Sequence, residues 1–342
     1  MPTISDVAKA AGVSKTAVSF ALNGRPGIGE DTKVRILECA DQLGWVPSRP
    51  ARSLSVSRAF AVGLVVARNP ETLRVDSFFP SFISGIESVL SERGLALMLQ
   101  MVPAHARELE SYRRLVRERR VDGVFITDLF VDDERPALMR ELGLPTVVVG
   151  PALTDTGLPT VGVDDRPGIE AAVDHLVALG HRLIAHVGGP RGMVHSRSRH
   201  EAWQQALERA GLKPDLYVEA DFSAHGGATA TTHLLSGDEP PTAIVYANDL
   251  MALAGISAAT ALGLRVPTDL SVTGYDDTEI AAHTQPALTT VSSDVIAWGQ
   301  AAARRLLEAI DGRAFSEATL TAPQLVVRDS TAAPPRRPCP RW

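Results

Sequence analysis

The sequence has few cysteines, few aromatic residues and no long apolar run. Its 342 residues include two cysteines, Cys39 and Cys339, and aromatic residues make up 5% of the chain. Neither cysteine lies at a metal-ligand spacing, which predicts a reduced chain without a disulfide framework. No apolar run approaches the roughly 18 residues of a membrane span, and the first residues (MPTISD) do not resemble a signal peptide. We therefore expect a cytoplasmic protein with no membrane partner.

Signals for catalysis are weak. Glycines at 188, 189 and 192 follow a predicted strand but lack the Rossmann spacing and its ribose-binding acid. The sequence contains neither a phosphate-binding P-loop nor a Gly-x-Ser-x-Gly elbow. His175, His181 and His186 have no carboxylate partners at metal-ligand spacing. We expect no enzyme activity, no cofactor and no metal.

Charge is unevenly distributed along the chain. The net charge of −6 divides into +3 for residues 1–58, where eight lysines and arginines stand against five acids, and −9 for the remainder. A basic N-terminal region on an acidic remainder suits nucleic-acid contact confined to that region, although +3 alone is weak support. The length allows two or three domains, each with its own core.

The N-terminal segment has the pattern of two short helices around a tight turn. Ala8 is small enough for a close crossing, Gly12 permits the bend, and Ser14 can cap the second helix. An apolar inner face follows from the spacing of Val7, Val13, Val18 and Leu22. This is the helix-turn-helix pattern, whose second helix fits a DNA major groove. The alternative is a helical hairpin with no nucleic-acid role.

Beyond this segment the chain alternates between strand and helix patterns. Residues 1–46 predict a three-helix DNA-binding domain, with its third helix at about 31–43, and residues 47–58 predict a linker. Strands are predicted at 61–67, 95–101, 123–127, 146–149, 183–187, 243–246 and 271–274. Helices are predicted at 79–93, 106–119, 134–142, 166–179, 198–210, 225–235 and 249–262. The alternation favours doubly wound parallel sheets in two subdomains with a cleft between them, followed by a disordered tail at 331–342.

Ordered landmarks along the whole chain resemble the LacI (lactose repressor) family of bacterial transcription regulators. They are ARSL at 51–54, VDG at 121–123, VGGP at 187–190, AND at 247–249, GYDD at 274–277 and PALTT at 286–290. The resemblance implies an all-α helix-turn-helix head and a core like the periplasmic binding proteins. It places one subdomain at about 59–161 and 292–321 and the other at about 162–291 and 322–330. The chain then crosses between them near 160–163, 290–293 and 320–323.

The resemblance also implies a function. We expect a sequence-specific transcriptional regulator, a repressor, that binds a palindromic DNA operator as a homodimer or a larger assembly. A small-molecule effector in the cleft, a sugar rather than a purine, would control it. The alternatives are a solute-binding protein or a sugar-processing enzyme with the same two-lobed core.

By the same resemblance, nine residues are predicted to contact DNA: Ser5, Ser14, Lys15, Thr16, Ser19, Phe20, Asn23, Ala51 and Leu54. Lys15 and Thr16 stand at base-reading positions, whereas hydroxyls such as Ser14 suit phosphate oxygens. Phe20 departs from the arginine of many relatives, so that position is read by apolar contact or not at all. The alternative for each polar residue is that it lies on a solvent-exposed helix face and makes no DNA contact.

The linker is predicted to form a short helix only when it is paired on DNA. A helix of about eight residues is too short to be stable alone. Paired Leu54 side chains of a dimer would then wedge into the minor groove at a pyrimidine–purine step. The alternative is an ordinary linker leucine.

Eight residues near predicted strand ends are predicted to bind the effector: Asp76, Phe78, Phe79, Thr127, Arg199, Phe222, Asn248 and Asp276. Arginine and carboxylate side chains can orient a polyhydroxylated or heterocyclic molecule, and an aromatic face can stack on it. Asp276 could instead belong to a network that links the subdomains. Phe78 or Phe79 could instead be a core residue. Gly150 departs from the ligand-contacting aspartate of relatives, which weakens any inference of one particular sugar.

Overall fold

The computed structural model describes residues 2–22, 26–45, 58–68, 78–151, 156–315 and 320–335. The chain forms two compact units, Met1–Phe60 with Arg119–Val121, and Ala61–Glu118 with Asp122–Trp342. Among the described residues, none of the helices is both long and apolar enough to cross a membrane. Outside the described residues lie Asn23, Ala51, Leu54, Asp76, Cys339 and most of the predicted linker.

The smaller unit is the predicted helical head. Its helices are α1 (Ile4–Ala11), α2 (Lys15–Leu22) and α3 (Glu30–Gln42). Thr3 and Asp6 form a capping box that begins α1, and Gly12, with φ of 65°, ends it in the left-handed conformation. The Ser14 hydroxyl accepts a hydrogen bond from the Ala17 amide at 3.1 Å and so caps α2, as the sequence predicts.

Small apolar side chains hold the three helices together. The buried core of the head consists of Val7, Ala8, Ala11, Val18, Ala21, Ile36 and Ala40. Val13 and Leu22 are partly buried against this core. The apolar face that the sequence predicts is therefore the one that packs, and the remaining faces of α1 and α2 carry the polar residues.

The first subdomain of the larger unit is built on a five-stranded parallel sheet. Its elements are β1 (Ala61–Ala67), α4 (Phe78–Leu90), β2 (Ala96–Val102), α5 (Glu108–Arg117), β3 (Gly123–Ile126), α6 (Arg135–Leu142), β4 (Thr146–Val149) and β5 (Thr160–Val161). The strand order is β2-β1-β3-β4-β5. Since β1 pairs with β3, the residues that follow these two strands leave the same edge of the sheet side by side.

The second subdomain repeats this arrangement with four parallel strands. Its elements are α7 (Arg166–Ala178), β6 (Ile184–Gly188), α8 (Val194–Arg209), β7 (Tyr217–Glu219), α9 (Ala224–Leu235), β8 (Ala243–Tyr246), α10 (Asp249–Ala261) and β9 (Ser271–Thr273). The strand order is β7-β6-β8-β9. Helix α8 begins four residues before its predicted start at 198, because Ser196 and Ser198 are buried and conceal its inner face in the sequence.

The chain returns to the first subdomain through an antiparallel strand pair. Strands β10 (Thr290–Ser292) and β11 (Gln324–Val326) pair with each other, and α11 (Val295–Ile310) lies between them in the sequence. Helix α11 packs on α4 where two glycines meet. A Cβ atom added to Gly85 would lie 2.2 Å from the Ile296 carbonyl oxygen, and one on Gly299 would lie 2.3 Å from that of Phe82. Only glycine therefore permits this backbone contact.

The start of the C-terminal tail differs from its prediction. The sequence predicts disorder from residue 331, but the Thr331 hydroxyl lies 2.9 Å from Nε2 of His175. The carbonyl oxygen of Ala332 lies 2.8 Å from Nε2 of His181, a side chain that is 1% exposed. The prediction is wrong for these two residues, because they supply polar partners that the histidines need. Residues 336–342 lie outside the described residues.

Candidate ligand cleft and nucleic-acid interface

A cleft of about 780 Å³, including the space at its opening, lies between the two subdomains of the larger unit. It is found where the carboxyl ends of the strands meet, as expected for open parallel sheets. Its first wall consists of Arg68, Phe78, Thr127, Asp128, Val149, Gly150, Pro151, Ser293, Val295 and Trp298. Its second wall consists of Asp165, His195, Arg199, Phe222, Asn248, Tyr275 and Asp276. Charged, amide and aromatic side chains from both subdomains thus face one space.

Six of the eight predicted effector residues line this cleft: Phe78, Thr127, Arg199, Phe222, Asn248 and Asp276. The prediction for Phe79 is wrong, since its side chain is 1% exposed and belongs to the core of the first subdomain. Phe78 and Phe79 are consecutive residues of α4, and a helix rotates about 100° per residue, so one faces the cleft and its neighbour the core. Asp76 lies outside the described residues.

Arg199 is fixed by three contacts in the second wall. Its Nε donates to Oδ2 of Asp165 at 3.0 Å, and its Nη1 donates to the Ala247 carbonyl at 2.7 Å. The guanidinium carbon lies 3.8 Å from the centre of the Tyr275 ring. The Tyr275 hydroxyl donates to Oδ1 of the same Asp165 at 3.0 Å. Although burial opposes the charged form of Arg199, the Asp165 carboxylate raises the pKa of Arg199, so the guanidinium stays ionised.

Arg68 forms the corresponding ion pair in the first wall. Its Nε and Nη2 donate to Oδ2 and Oδ1 of Asp128, both at 2.9 Å, in a bidentate arrangement. The guanidinium carbon lies 5.5 Å from the centre of the Phe222 ring, which belongs to the second wall. Burial raises the pKa of Asp128, but the charge and hydrogen bonds of Arg68 outweigh it and lower the pKa overall.

His195 adds an uncharged ring between these two pairs. It stacks on Phe222 with ring centres 5.5 Å apart. Burial, reinforced by the charge of Arg199, lowers the pKa of His195 to about 4. The imidazole is therefore neutral near pH 7 and offers a hydrogen-bonding atom without adding charge to the cleft.

Asn248 and Asp276 each combine a structural contact with a place in the cleft. The Asn248 side chain caps α10 by accepting from the Met251 amide at 2.9 Å, and it donates to the Phe222 carbonyl at 3.1 Å. The Asp276 amide donates to the Val291 carbonyl at 2.9 Å, beside the crossing strand β10. Asp276 also lines the cleft.

A short antiparallel bridge joins the two subdomains at one side of the cleft. Phe130 pairs with Met193 across it. The Val194 amide donates to the Leu129 carbonyl and the Val131 amide to the Gly192 carbonyl, both at 2.8 Å. The bridge directly follows Thr127 and Asp128 in one wall and directly precedes His195 in the other. Residues that line the cleft are therefore adjacent in sequence to the residues that join the subdomains.

A buried ion cluster anchors the loop that carries this bridge. Arg135, 1% exposed, donates to Oε1 of Glu108 at 2.8 Å and to Oδ2 of Asp133 at 2.6 Å. Its Nη2 also donates to the Asp128 carbonyl at 2.8 Å, and Asp133 accepts from the Phe130 amide at 3.0 Å. The first wall thus has a second, more deeply buried arginine, which forms a hydrogen bond with the backbone of the loop.

Sequence reasoning missed several residues of the cleft: Arg68, Asp165, His195, Tyr275, Ser293, Val295 and Trp298. A usable signal existed for Arg68, because it comes directly after a buried strand, as Asp128 comes after the next strand of the sheet. For Trp298, which is 7% exposed, the sequence shows only an apolar position of a helix. Its role depends on how α11 returns to the first subdomain.

The predicted nucleic-acid interface lies on the head. Ser14, Lys15 and Thr16 are exposed at the start of α2, whose Val18 and Ala21 are buried in the core of the head. A basic and a hydroxyl side chain at the beginning of such a helix suit base edges, and the capping Ser14 keeps its hydroxyl hydrogen for a phosphate oxygen.

The other residues predicted to contact DNA are either partly buried or outside the described residues. Ser5, Ser19 and Phe20 are partly buried. Asn23, Ala51 and Leu54 lie outside the described residues.

Comparisons with known proteins agree with both parts of the chain. The model of "Bacterial regulatory proteins, lacI family" matches residues 3–48, and that of "Periplasmic binding protein-like domain" matches residues 173–331. The transcriptional regulator CelR of Thermobifida fusca is 34% identical over 340 residues, which cover 96% of this chain and 98% of that protein.

Solved structures show the same similarity. A complex of the regulator CelR with cellobiose is 33% identical, with a TM-score of 0.73, and the match covers 96% of this chain and 100% of that one. The lac repressor dimer bound to operator and the anti-inducer ONPF is 30% identical, with a TM-score of 0.82 and coverage of 97% and 99%.

Proposed function

Because this chain belongs to the lacI family of bacterial regulatory proteins, we propose that it is a cytoplasmic repressor that binds a palindromic operator as a homodimer. A sugar bound in the cleft controls this binding and is released unchanged. The observation that carries the proposal is the presence, in one chain, of an exposed helix-turn-helix surface and a cleft lined with paired charges and aromatic rings.

The head reads DNA through the exposed start of α2. Lys15 donates to guanine, Thr16 contacts a neighbouring base, and Ser5, Ser14, Ser19 and Asn23 fix the register through phosphates. Phe20 offers an apolar edge to a thymine methyl where an arginine would read guanine. Ala51 and Leu54 act in the linker, where a pair of leucines opens the minor groove at the centre of the operator.

The sugar is held between the two walls. Carboxylate and guanidinium groups orient its hydroxyls, and Phe222 and Trp298 offer faces for its rings. The CelR complex with cellobiose supports this ligand class. The effector changes DNA affinity only to the extent that it binds the two subdomain arrangements unequally. We propose that the sugar-bound arrangement prevents the linkers from pairing and so releases the operator.

DNA recognition is tested by selecting duplexes from a random library with full-length protein and measuring their affinity by fluorescence anisotropy. We expect a two-fold symmetric site and a strong decrease in affinity with salt. Lys15→Ala should weaken binding to that site more than Lys33→Ala, which removes the same charge from α3. Leu54→Ala should weaken binding to the selected site and leave binding to random duplex nearly unchanged. Equal loss on both duplexes would contradict the role of Leu54.

Effector control is tested by a thermal-shift screen of sugars and nucleobases, since a molecule that binds only the folded cleft raises the melting temperature. A stabilising sugar should then release the selected duplex in the anisotropy assay. A nucleobase that stabilises the protein while every sugar fails to do so would refute the proposed ligand class.

A further inference from the structure

We infer that Phe130 is a positioning residue for the effector. Its side chain stabilises the subdomain arrangement that holds the sugar, and it thereby strengthens sugar binding at the expense of operator binding. Phe130 is not among the described residues that line the cleft, so it acts through the relative placement of the two walls. The inference rests on the proposed function, because it concerns how binding at the cleft is linked to binding of DNA.

The Phe130 ring belongs to the first subdomain but packs on the core of the second. Among the described residues that pack against this core, Phe130 is the one that comes from the first subdomain. The core includes Met193, which pairs with Phe130 in the bridge, and Phe222, which lines the cleft. The ring therefore adds an apolar contact to the two backbone hydrogen bonds of the bridge. Moving the subdomains apart would expose this apolar surface to water, which costs free energy.

Other contacts of the ring tie it to the first subdomain. The ring centre of His105 lies 4.1 Å from that of Phe130, with 31° between the ring planes. The guanidinium carbon of Arg135 lies 5.8 Å from the same ring centre. The side chains of His105 and Arg135 both form hydrogen bonds with the buried carboxylate of Glu108. The ring is thus fixed to the ion cluster of one subdomain while it packs on the apolar core of the other.

The loop that carries Phe130 has an unusual backbone conformation. Asp128, two residues before Phe130, has φ of 49°, and Asp132, two residues after it, has φ of 60°. This left-handed conformation is uncommon outside glycine, and surrounding contacts must offset its cost. Such contacts are the hydrogen bond from Arg135 to the Asp128 carbonyl and that from the Phe130 amide to Asp133. The place of Phe130 relative to the first subdomain is therefore fixed by its own loop.

The contact of Phe130 with the second core is linked to one subdomain arrangement. In this arrangement the bridge is formed and the two walls line one cleft. A sugar that contacts both walls favours the same arrangement. By the proposed function, the operator favours the other one, and each ligand shifts the balance only by its unequal affinity for the two. A contact that stabilises the sugar-binding arrangement therefore raises the affinity for sugar and lowers the affinity for DNA.

The structure offers one substitution that strengthens this contact as well as one that removes it. A Cβ atom added to Gly192 would lie 3.5 Å from Cδ1 of Phe130, an ordinary van der Waals distance, and the φ of Gly192 is not in the left-handed region. Gly192→Ala thus adds a methyl group against the ring. Phe130→Ala removes the ring, and Phe130→Leu keeps part of the apolar contact and replaces Phe130→Ala if that variant does not fold.

Two variants at exposed positions serve as matched controls. Gly237→Ala reports the general effect of replacing a glycine, which acts through the unfolded chain. Phe315→Ala removes a phenylalanine that is 46% exposed.

The first experiment measures hydrogen–deuterium exchange of full-length protein, without sugar or DNA, by mass spectrometry. Peptides that cover 127–133 and 190–197 contain the bridge amides of Val131 and Val194. We expect Phe130→Ala to speed exchange in these peptides about two- to tenfold, and Gly192→Ala to slow it about two- to fourfold. Exchange in β3 and β6 should stay at the wild-type rate. Unchanged exchange of the bridge in Phe130→Ala, or an equal increase in β3 and β6, would overturn the inference.

The second experiment measures two affinities for each variant, that for cellobiose by calorimetry and that for the duplex selected with wild type by fluorescence anisotropy. Phe130→Ala should bind cellobiose about two- to tenfold more weakly and the duplex more tightly. Gly192→Ala should do the reverse, but have no effect of its own when combined with Phe130→Ala. Both controls should keep the wild-type affinities.

A change of both affinities in the same direction would overturn the inference, because it would show that Phe130 only stabilises the fold. If cellobiose does not bind, the duplex affinities alone decide the direction of the shift. If wild type binds neither cellobiose nor any duplex, the proposed function is refuted. The exchange experiment still decides whether Phe130 holds the two subdomains together, so the two failures are distinguishable.

Discussion

Each wall of the cleft contains an arginine–aspartate ion pair, but the other groups that hold the arginine differ between the two walls. In the second wall, Arg199 is held by Asp165, by the Ala247 carbonyl and by the face of Tyr275. In the first wall, Arg68 is held by the bidentate contact with Asp128 and lies across the cleft from the Phe222 ring. The Asp165 side chain is 2% exposed and that of Asp128 is 17% exposed. The two arginine side chains are both 11% exposed, so the pairs differ in the exposure of the carboxylate and in the further contacts of the guanidinium.

This difference shows that one residue type can have two roles in one site. In the first wall, the structural role of Arg199 belongs to Arg135. Its side chain donates hydrogen bonds to Glu108, to Asp133 and to the Asp128 carbonyl. Arg68 lines the cleft. In the first wall, one arginine makes the buried structural contacts and another lines the cleft, whereas in the second wall Arg199 does both.

The largest expected effect comes from removing the buried arginines. Arg199→Met and Arg135→Met should each lower the free energy of unfolding by about 3–5 kcal/mol, since each leaves buried carboxylates without their partner. Urea denaturation of effector-free protein measures this loss. A loss below about 1 kcal/mol for either variant would show that its wall does not depend on the arginine.

A smaller loss is expected for Arg68, whose carboxylate partner Asp128 is 17% exposed. Arg68→Met should lower the free energy of unfolding by about 1.5–3 kcal/mol, the range for hydrogen bonds to a charged group, because Asp128 keeps more contact with water than Asp165 does. The same urea experiment applies. A loss equal to that of Arg199→Met would remove the distinction between the two walls.

How much of this contrast could be predicted depends on the distance in sequence that each contact spans. Thr127, Asn248 and Asp276 were predicted because they follow strand patterns directly, and Arg199 because its spacing to Trp203 matches the family. The fold class was predictable for the same local reason, since each strand and helix has its own pattern.

Contacts between distant elements could not be predicted in this way. Arg68 and Asp128 are brought together by the strand order that places β1 beside β3, and nothing in either segment specifies that order. Phe79 was assigned to the cleft because the sequence does not fix the rotation of α4. The start of α8 was missed because buried serines look like surface residues.

The bridge between the walls should control how fast a ligand leaves. Val194→Pro removes the amide that donates to Leu129, and proline is tolerated there because Val194 is the first residue of α8 and Met193 is extended, with φ of −86° and ψ of 134°. Loss of one hydrogen bond, about 1 kcal/mol, should speed ligand dissociation about fivefold in stopped-flow measurements. Val194→Ala keeps the amide and is the control; similar rates for both variants would contradict the role of the bridge.

The pH dependence of the second wall is expected only below neutral pH. The pKa of His195 is about 4 in the folded protein and about 6.5 in an unfolded chain. The unfolded state therefore binds more protons between these values, and stability decreases as pH falls from 6.5 towards 4. His195→Gln should make this decrease shallower in urea titrations across that range. His225→Gln, at an exposed position, should keep the wild-type slope, and an unchanged slope in His195→Gln would refute the assignment.

The glycine contact between α4 and α11 has a mechanical consequence for the cleft. With no side chain between Gly85 and Gly299, the two backbones touch and the helices have little freedom to slide past each other. Phe78 at the start of α4 and Trp298 in α11 both line the cleft, with ring centres 6.2 Å apart. Both rings therefore belong to helices whose backbones are in contact, and α11 follows the crossing strand β10 directly in the sequence.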